Sequence, residues 1–80
     1  MKITDATIKR IEELCHERNI TINGLAYQSG LSPSTLKNIV YGSSNNPGII
    51  TIKIICDGFD ITIREFFNSD IFDDLEQEIY

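Results

Sequence analysis

From residue 5 to about residue 18, DATIKRIEELCHER, apolar side chains return at helical intervals. Ile8, Ile11, Leu14 and Cys15 share one face, and Lys9, Arg10, Glu12, Glu13 and Glu17 take the other. The pattern predicts an amphipathic helix capped by Thr4 or Asp5 and ended by Asn19 and Ile20. Thr21 then offers a second N-cap. Ile22, Leu25 and Ala26 predict a short second helix that stops at Gly30, the residue best suited to the left-handed conformation after a helix. Asn23 and Gly24 lower its intrinsic propensity, so packing must hold it.

Ser32 and Pro33 suit the cap and first position of a third helix, with Leu31 placed to staple against Leu36. Its inward stripe is Leu36, Ile39 and Val40; Ser34, Lys37 and Asn38 are left on another face. GSSNNPG, residues 42–48, is a turn-rich loop that Pro47 separates from the next apolar segment. That segment, IITIKIICDGF, is ambiguous, because its β-branched residues favour a strand while Ile52, Ile55, Cys56 and Phe59 make a helical stripe. A lone strand among helices has nothing to pair with, so the stretch reads as a fourth helix. Thr62-x-x-Glu65 is a capping box with Ile61 and Phe66 as a staple, which starts a short fifth helix. The expected organisation is a compact all-α, five-helix domain over residues 1–68. An acidic tail, residues 69–80, carries Ile71, Phe72, Leu75 and Ile79 and is expected to pack on the domain or on a second copy.

Eighty residues suit one domain of modest stability and argue against a large catalytic cleft. No apolar run approaches the ~18 residues that cross a bilayer. The N-terminal residues lack the pattern of a signal peptide, so a cytoplasmic location and no membrane partner are expected. Cys15 and Cys56 each sit among apolar neighbours and read as reduced packing residues. His16 follows Cys15, but adjacent helical residues point about 100° apart. No spacing supplies further metal ligands or a nucleophile pair. The chain is expected to be neither an enzyme nor a metal protein, with no cofactor and no small-molecule substrate.

Net charge is −5, which by itself disfavours a polyanionic partner. Its distribution changes that conclusion. Residues 1–56 hold six bases (Lys2, Lys9, Arg10, Arg18, Lys37, Lys53) against four acids (Asp5, Glu12, Glu13, Glu17), a balance of +2. Residues 57–80 hold Arg64 against eight acids, a balance of −7. A fold that turns its C-terminal end away can still present a neutral-to-basic face to DNA.

Two short helices joined by a turn at Gly30, the second polar on one side, is the plan of a helix-turn-helix. In that plan the second helix enters the major groove and the first crosses the backbone. Residues 21–67 resemble the Cro/repressor-type helix-turn-helix family, also called the xenobiotic-response-element family. The residues that carry the resemblance are Leu25-Ala26, Gly30-Leu31-Ser32, Ser34-Thr35-Leu36, Ile39, Tyr41-Gly42 and Pro47. Phe59-Asp60-Ile61-Thr62-Ile63 stands where the family usually has Leu-Gly-Val-Ser and a hydrophobic residue. The resemblance implies a lambda-repressor-like five-helix domain of a bacterial or phage regulator. The sequence departs from it at Ile22 and Pro33, where family members often carry polar contact residues, and at Val40 and Cys56.

By position, the resemblance implies that Ser34, Lys37 and Asn38 point into the groove and that Thr35 lies near a phosphate. Ser43, Ser44, Asn45 and Asn46 would follow the sugar-phosphate backbone. Ser32 joins this set as the cap of the third helix, and Thr21 adds a contact from the start of the second. Tyr41 reads as a packing residue. The expected function is a sequence-specific DNA-binding transcriptional regulator on double-stranded DNA. It would act as a homodimer, joined through Ile63, Phe67, Ile71 and Phe72. The rival expectation is a protein-interaction module of antitoxin or anti-repressor type that keeps the fold without DNA binding.

Overall fold

The first helix, α1 (Ile3–Arg18), begins earlier than expected and without a side-chain cap. Lys2 is extended, and its carbonyl accepts the Ala6 N–H at 3.1 Å, so the helical ladder already includes Thr4 and Asp5. Asp5 instead sits in the first turn, where a carboxylate favours the positive end of the helix. The structure, a computed structural model, describes residues 1–42 and 46–79. Asn19 ends α1 in the left-handed conformation, at φ 56°.

The second helix, α2 (Ile22–Ser29), starts as expected: the Thr21 hydroxyl accepts the Gly24 N–H at 3.0 Å. Gly30 closes it at φ 76°, which a Cβ would strain. The third, α3 (Pro33–Val40), has Ser32 as cap, its hydroxyl accepting the Thr35 N–H at 3.1 Å. The ambiguous stretch is a helix, α4 (Ile49–Phe59), and no strand occurs among the described residues. Asp60 takes a left-handed φ of 58° where the family usually has glycine; aspartate tolerates that region better than most residues. Both halves of the capping box form ahead of α5 (Ile63–Phe67): Thr62 Oγ1 accepts the Glu65 N–H, and Glu65 Oε1 accepts the Thr62 N–H.

Every helix sends side chains into one core. Ile11, Leu25, Leu36, Ile55, Phe59 and Phe66 are fully buried, and each such burial stabilises the fold by roughly 1.5–3 kcal/mol. α2 packs chiefly on α4 and next on α3. The α2–α4 contact is close because position 58 is glycine: a Cβ there would lie 2.8 Å from the Ser29 Cβ. The Cα radius of gyration, 12.1 Å, matches the ~12 Å of a compact domain of this length.

Two arginines are long-range struts. Arg10, placed by pattern on the solvent face of α1, is only 11% exposed. Its Nε donates to the Phe66 carbonyl at 2.6 Å and Nη2 to the Glu65 carbonyl at 2.9 Å, while Nη1 pairs with Glu13. It thus gives the last turn of α5 a charged donor at the Phe66 carbonyl and a second donor at the Glu65 carbonyl, which also accepts the Asn68 N–H at 3.3 Å. Arg18 does the same for α4: Nη1 donates to the Phe59 carbonyl, and the guanidinium lies 6.0 Å from the Phe59 ring centroid.

Beyond α5 a 3-10 turn, Asp70–Phe72, packs against α1. The Phe67 and Phe72 rings meet edge-on with centroids 4.9 Å apart. Ile63, Phe67, Ile71 and Phe72 are all half-buried on their own chain. The isoleucines most exposed within the helices are instead Ile49 and Ile50.

Candidate nucleic-acid interface

Helix α3 divides sharply. Leu36, Ile39 and Val40 are buried, while Ser34, Thr35, Lys37 and Asn38 are exposed. The split follows from helical geometry, because positions 36, 39 and 40 share a face and 34, 37 and 38 turn away from it. At the start of α3, three hydroxyls gather. Ser32 Oγ lies 2.7 Å from Thr35 Oγ1 and 3.4 Å from Ser34 Oγ, so the capping serine also orients its neighbours. Small side chains here leave the backbone of the first turn accessible to a partner.

The Lys37 ammonium group has no ion-pair or hydrogen-bond partner among the described residues and is exposed. Neither α2 nor α3 contains an acid. From Arg18 to Cys56 the sequence holds Arg18, Lys37 and Lys53 and no carboxylate side chain. The acidity that dominates the net charge therefore lies on α1 and after position 56.

Thr21 and Lys37 line one groove of about 470 Å³ between the end of α1, the start of α2 and the last turn of α3. Its other walls include Glu12, Cys15, His16, Asn23 and Tyr41. A second groove, about 480 Å³, runs over the α2–α3 turn and is lined by Tyr27, Gly30, Leu31, Ser32 and Pro33 among others. Asn46 is exposed and borders a small cleft with Ile3, Thr4, Thr7, Pro47 and Ile52, beside the start of α1. Ser43, Ser44 and Asn45 lie outside the described residues.

Tyr41 corrects an expectation: instead of packing it is 67% exposed. It follows Val40 by about 100° around the helix, so it leaves the apolar stripe and turns to the groove. Tyr27, 90% exposed on α2, lies off the Ile22, Leu25 and Ala26 stripe. His16 and Asn23 escape sequence reasoning as groove residues for a plain reason. Their meeting with Lys37 depends on how α1 and α2 pack on α3, and no spacing along the chain encodes it.

Burial pushes the Cys15 thiol above its usual range, with the Glu12 charge acting in the same direction. Cys56 is likewise raised, chiefly by burial. Both are free and buried, and both favour the neutral thiol. Among the described residues no group of three histidine, cysteine or acidic side chains could hold a metal ion. No helix there is long and apolar enough to cross a membrane.

Residues 10–70, well over half of the chain, match the family model described as Cro/C1-type HTH DNA-binding domain. The chain belongs to this family. Neither the curated proteins nor the solved structures compared with it give a match. As a Cro/C1-type domain it is a DNA-binding regulator in general terms, and α2, the Gly30 turn and α3 are its helix-turn-helix. The match spans the leading helix from Arg10 through the start of the 3-10 turn. The two positions at which this Cro/C1-type chain departs from common polar contacts differ in setting: Ile22 is half-buried, whereas Pro33 is exposed at the first position of α3.

Proposed function

We propose that the protein is a sequence-specific transcriptional regulator that inserts α3 into the major groove of double-stranded DNA and acts as a cytoplasmic homodimer. The observation that carries this reading is the exposed, acid-free outer face of α3, with Ser34, Lys37 and Asn38 turned away from a fully packed inner face. A major groove about 12 Å wide admits such a helix, and small residues at its start permit close approach. Asn38 suits bidentate pairing with adenine, and Lys37 suits guanine O6 or N7. Thr21, Ser32 and Thr35 would offer hydroxyls to phosphates, as would Ser43, Ser44, Asn45 and Asn46 along the backbone.

One α3 makes few base contacts. Two copies related by a twofold axis would read half-sites about one helical turn apart and raise specificity accordingly.

Selection of bound duplexes from random DNA tests the reading. Asn38→Ala is expected to relax preference at one or two base positions, at about 1–3 kcal/mol each, and Asn46→Ala to weaken all sites alike. Identical specificity profiles for the two variants would contradict the assignment. No salt-dependent binding to any duplex would favour the protein-interaction module instead.

A further inference from the structure

Helix α4 buries Ile55, Cys56 and Phe59 and presents a second apolar face on its outer side. Ile50 is 74% exposed, and Ile54, one turn on, is half-buried and lies outside the core cluster. At about 100° per residue, Ile50, Lys53, Ile54 and Asp57 fall within an arc of about 100°, the isoleucines along one edge and the charges along the other. Lys53 and Asp57 are each more than half exposed and pair with one another along the helix. Ile49, also exposed, extends the face beside Lys53. The surface expected to join two copies is otherwise engaged. Ile63, Phe67, Ile71 and Phe72 are half-buried, because the 3-10 turn packs on α1 and brings Phe72 against Phe67.

Exposed isoleucines side by side mark an interaction surface, and the charges beside them say which partner fits. An isologous contact requires that one residue meet a second while the second meets the first. Two α4 helices packed antiparallel about a twofold axis at the level of position 55 meet that requirement. Lys53 of each copy then faces Asp57 of the other, and the two Ile54 side chains approach one another near the axis. We infer that the outer face of α4 is where a second copy of this chain docks, with Lys53 and Asp57 exchanging their intrachain partners across the axis. The inference rests on the homodimer of the proposed function and gives it a surface; it does not require that α3 face DNA. An α4 of 11 residues is about 16 Å long. The contact therefore falls at or below the low end of stable interfaces, about 1,200 Å² in total, and association in free solution is weak.

Sedimentation equilibrium of the full chain without DNA tests the inference, from about 10 µM to about 1 mM, the range of weak association. The wild type is expected to self-associate within that range. Lys53→Asp and Asp57→Lys each set like charges against one another twice across the axis, so each variant alone should associate about tenfold more weakly while staying folded by circular dichroism. An equimolar mixture of the two should recover the wild-type strength, because the acidic face of one then meets the basic face of the other. Mixing cannot restore an intrachain pair, so this recovery separates docking from helix stability. Single variants that associate as the wild type does, or a mixture no stronger than either variant alone, would overturn the inference and leave the homodimer standing. A wild type that stays monomeric at about 1 mM would overturn it together with the homodimer and leave DNA binding by α3 untouched.

Discussion

Along the seam where α1 meets α4 and α5, the guanidinium groups of Arg10 and Arg18 are committed to main-chain carbonyls at the ends of α5 and α4. On α3, by contrast, the Lys37 ammonium group has no partner among the described residues, and Ser34 and Asn38 on the same face are short, polar and exposed. A count of bases treats these cations alike, yet one group holds the fold and the other is exposed and makes no side-chain tie among the described residues. The same division accounts for an acidic protein in a DNA-binding family. Eight acids follow position 56, while α2 and α3 carry none.

The largest way to break the comparison is through the seam itself. Phe66 is fully buried and packs edge-on against Phe67, so Phe66→Ala should cost about 3–5 kcal/mol in denaturant unfolding. A domain of this size has little more than that to lose, and DNA binding should vanish with the fold. Next come two substitutions that sharpen it. Arg10→Met keeps the aliphatic stem but leaves two carbonyls of α5 without their charged donor, for an expected loss of about 1.5–3 kcal/mol. Affinity for DNA, measured where the variant is folded, should hold. Lys37→Gln should do the reverse, with unfolding within about 0.5 kcal/mol of wild type and a loss of about 1–3 kcal/mol in binding to the selected site. The smallest effect is at Asp60, whose φ of 58° suits glycine: Asp60→Gly should raise stability by about 0.5–1 kcal/mol in thermal unfolding and leave DNA affinity alone.

Local chemistry was legible in the sequence. Thr21, Ser32 and the Thr62–Glu65 box cap the helices they were expected to cap, because a capping bond spans only three residues and needs no tertiary partner. The inward stripes were legible for the same reason. Arg10 was not, because its partners lie 55 and 56 positions away and its place on the polar arc of α1 concealed a buried role. The start of α1 was misplaced because an extended Lys2 can open a helix with its carbonyl alone, which no residue type announces. At the candidate interface, the outward set on α3 was legible from periodicity. The groove that joins His16, Asn23 and Tyr41 to Lys37 required the packing of three helices to be known.

The central claim is that the polar face of α3 meets DNA while the α1–α4–α5 seam does not. Titration of the isotopically labelled protein with a selected duplex, followed by backbone amide resonances, tests it most directly. The account predicts that the largest shifts fall on Ser34, Lys37 and Asn38, with little movement at Phe59, Glu65 and Phe66. Shifts concentrated on α4 and α5, with α3 unmoved, would contradict it.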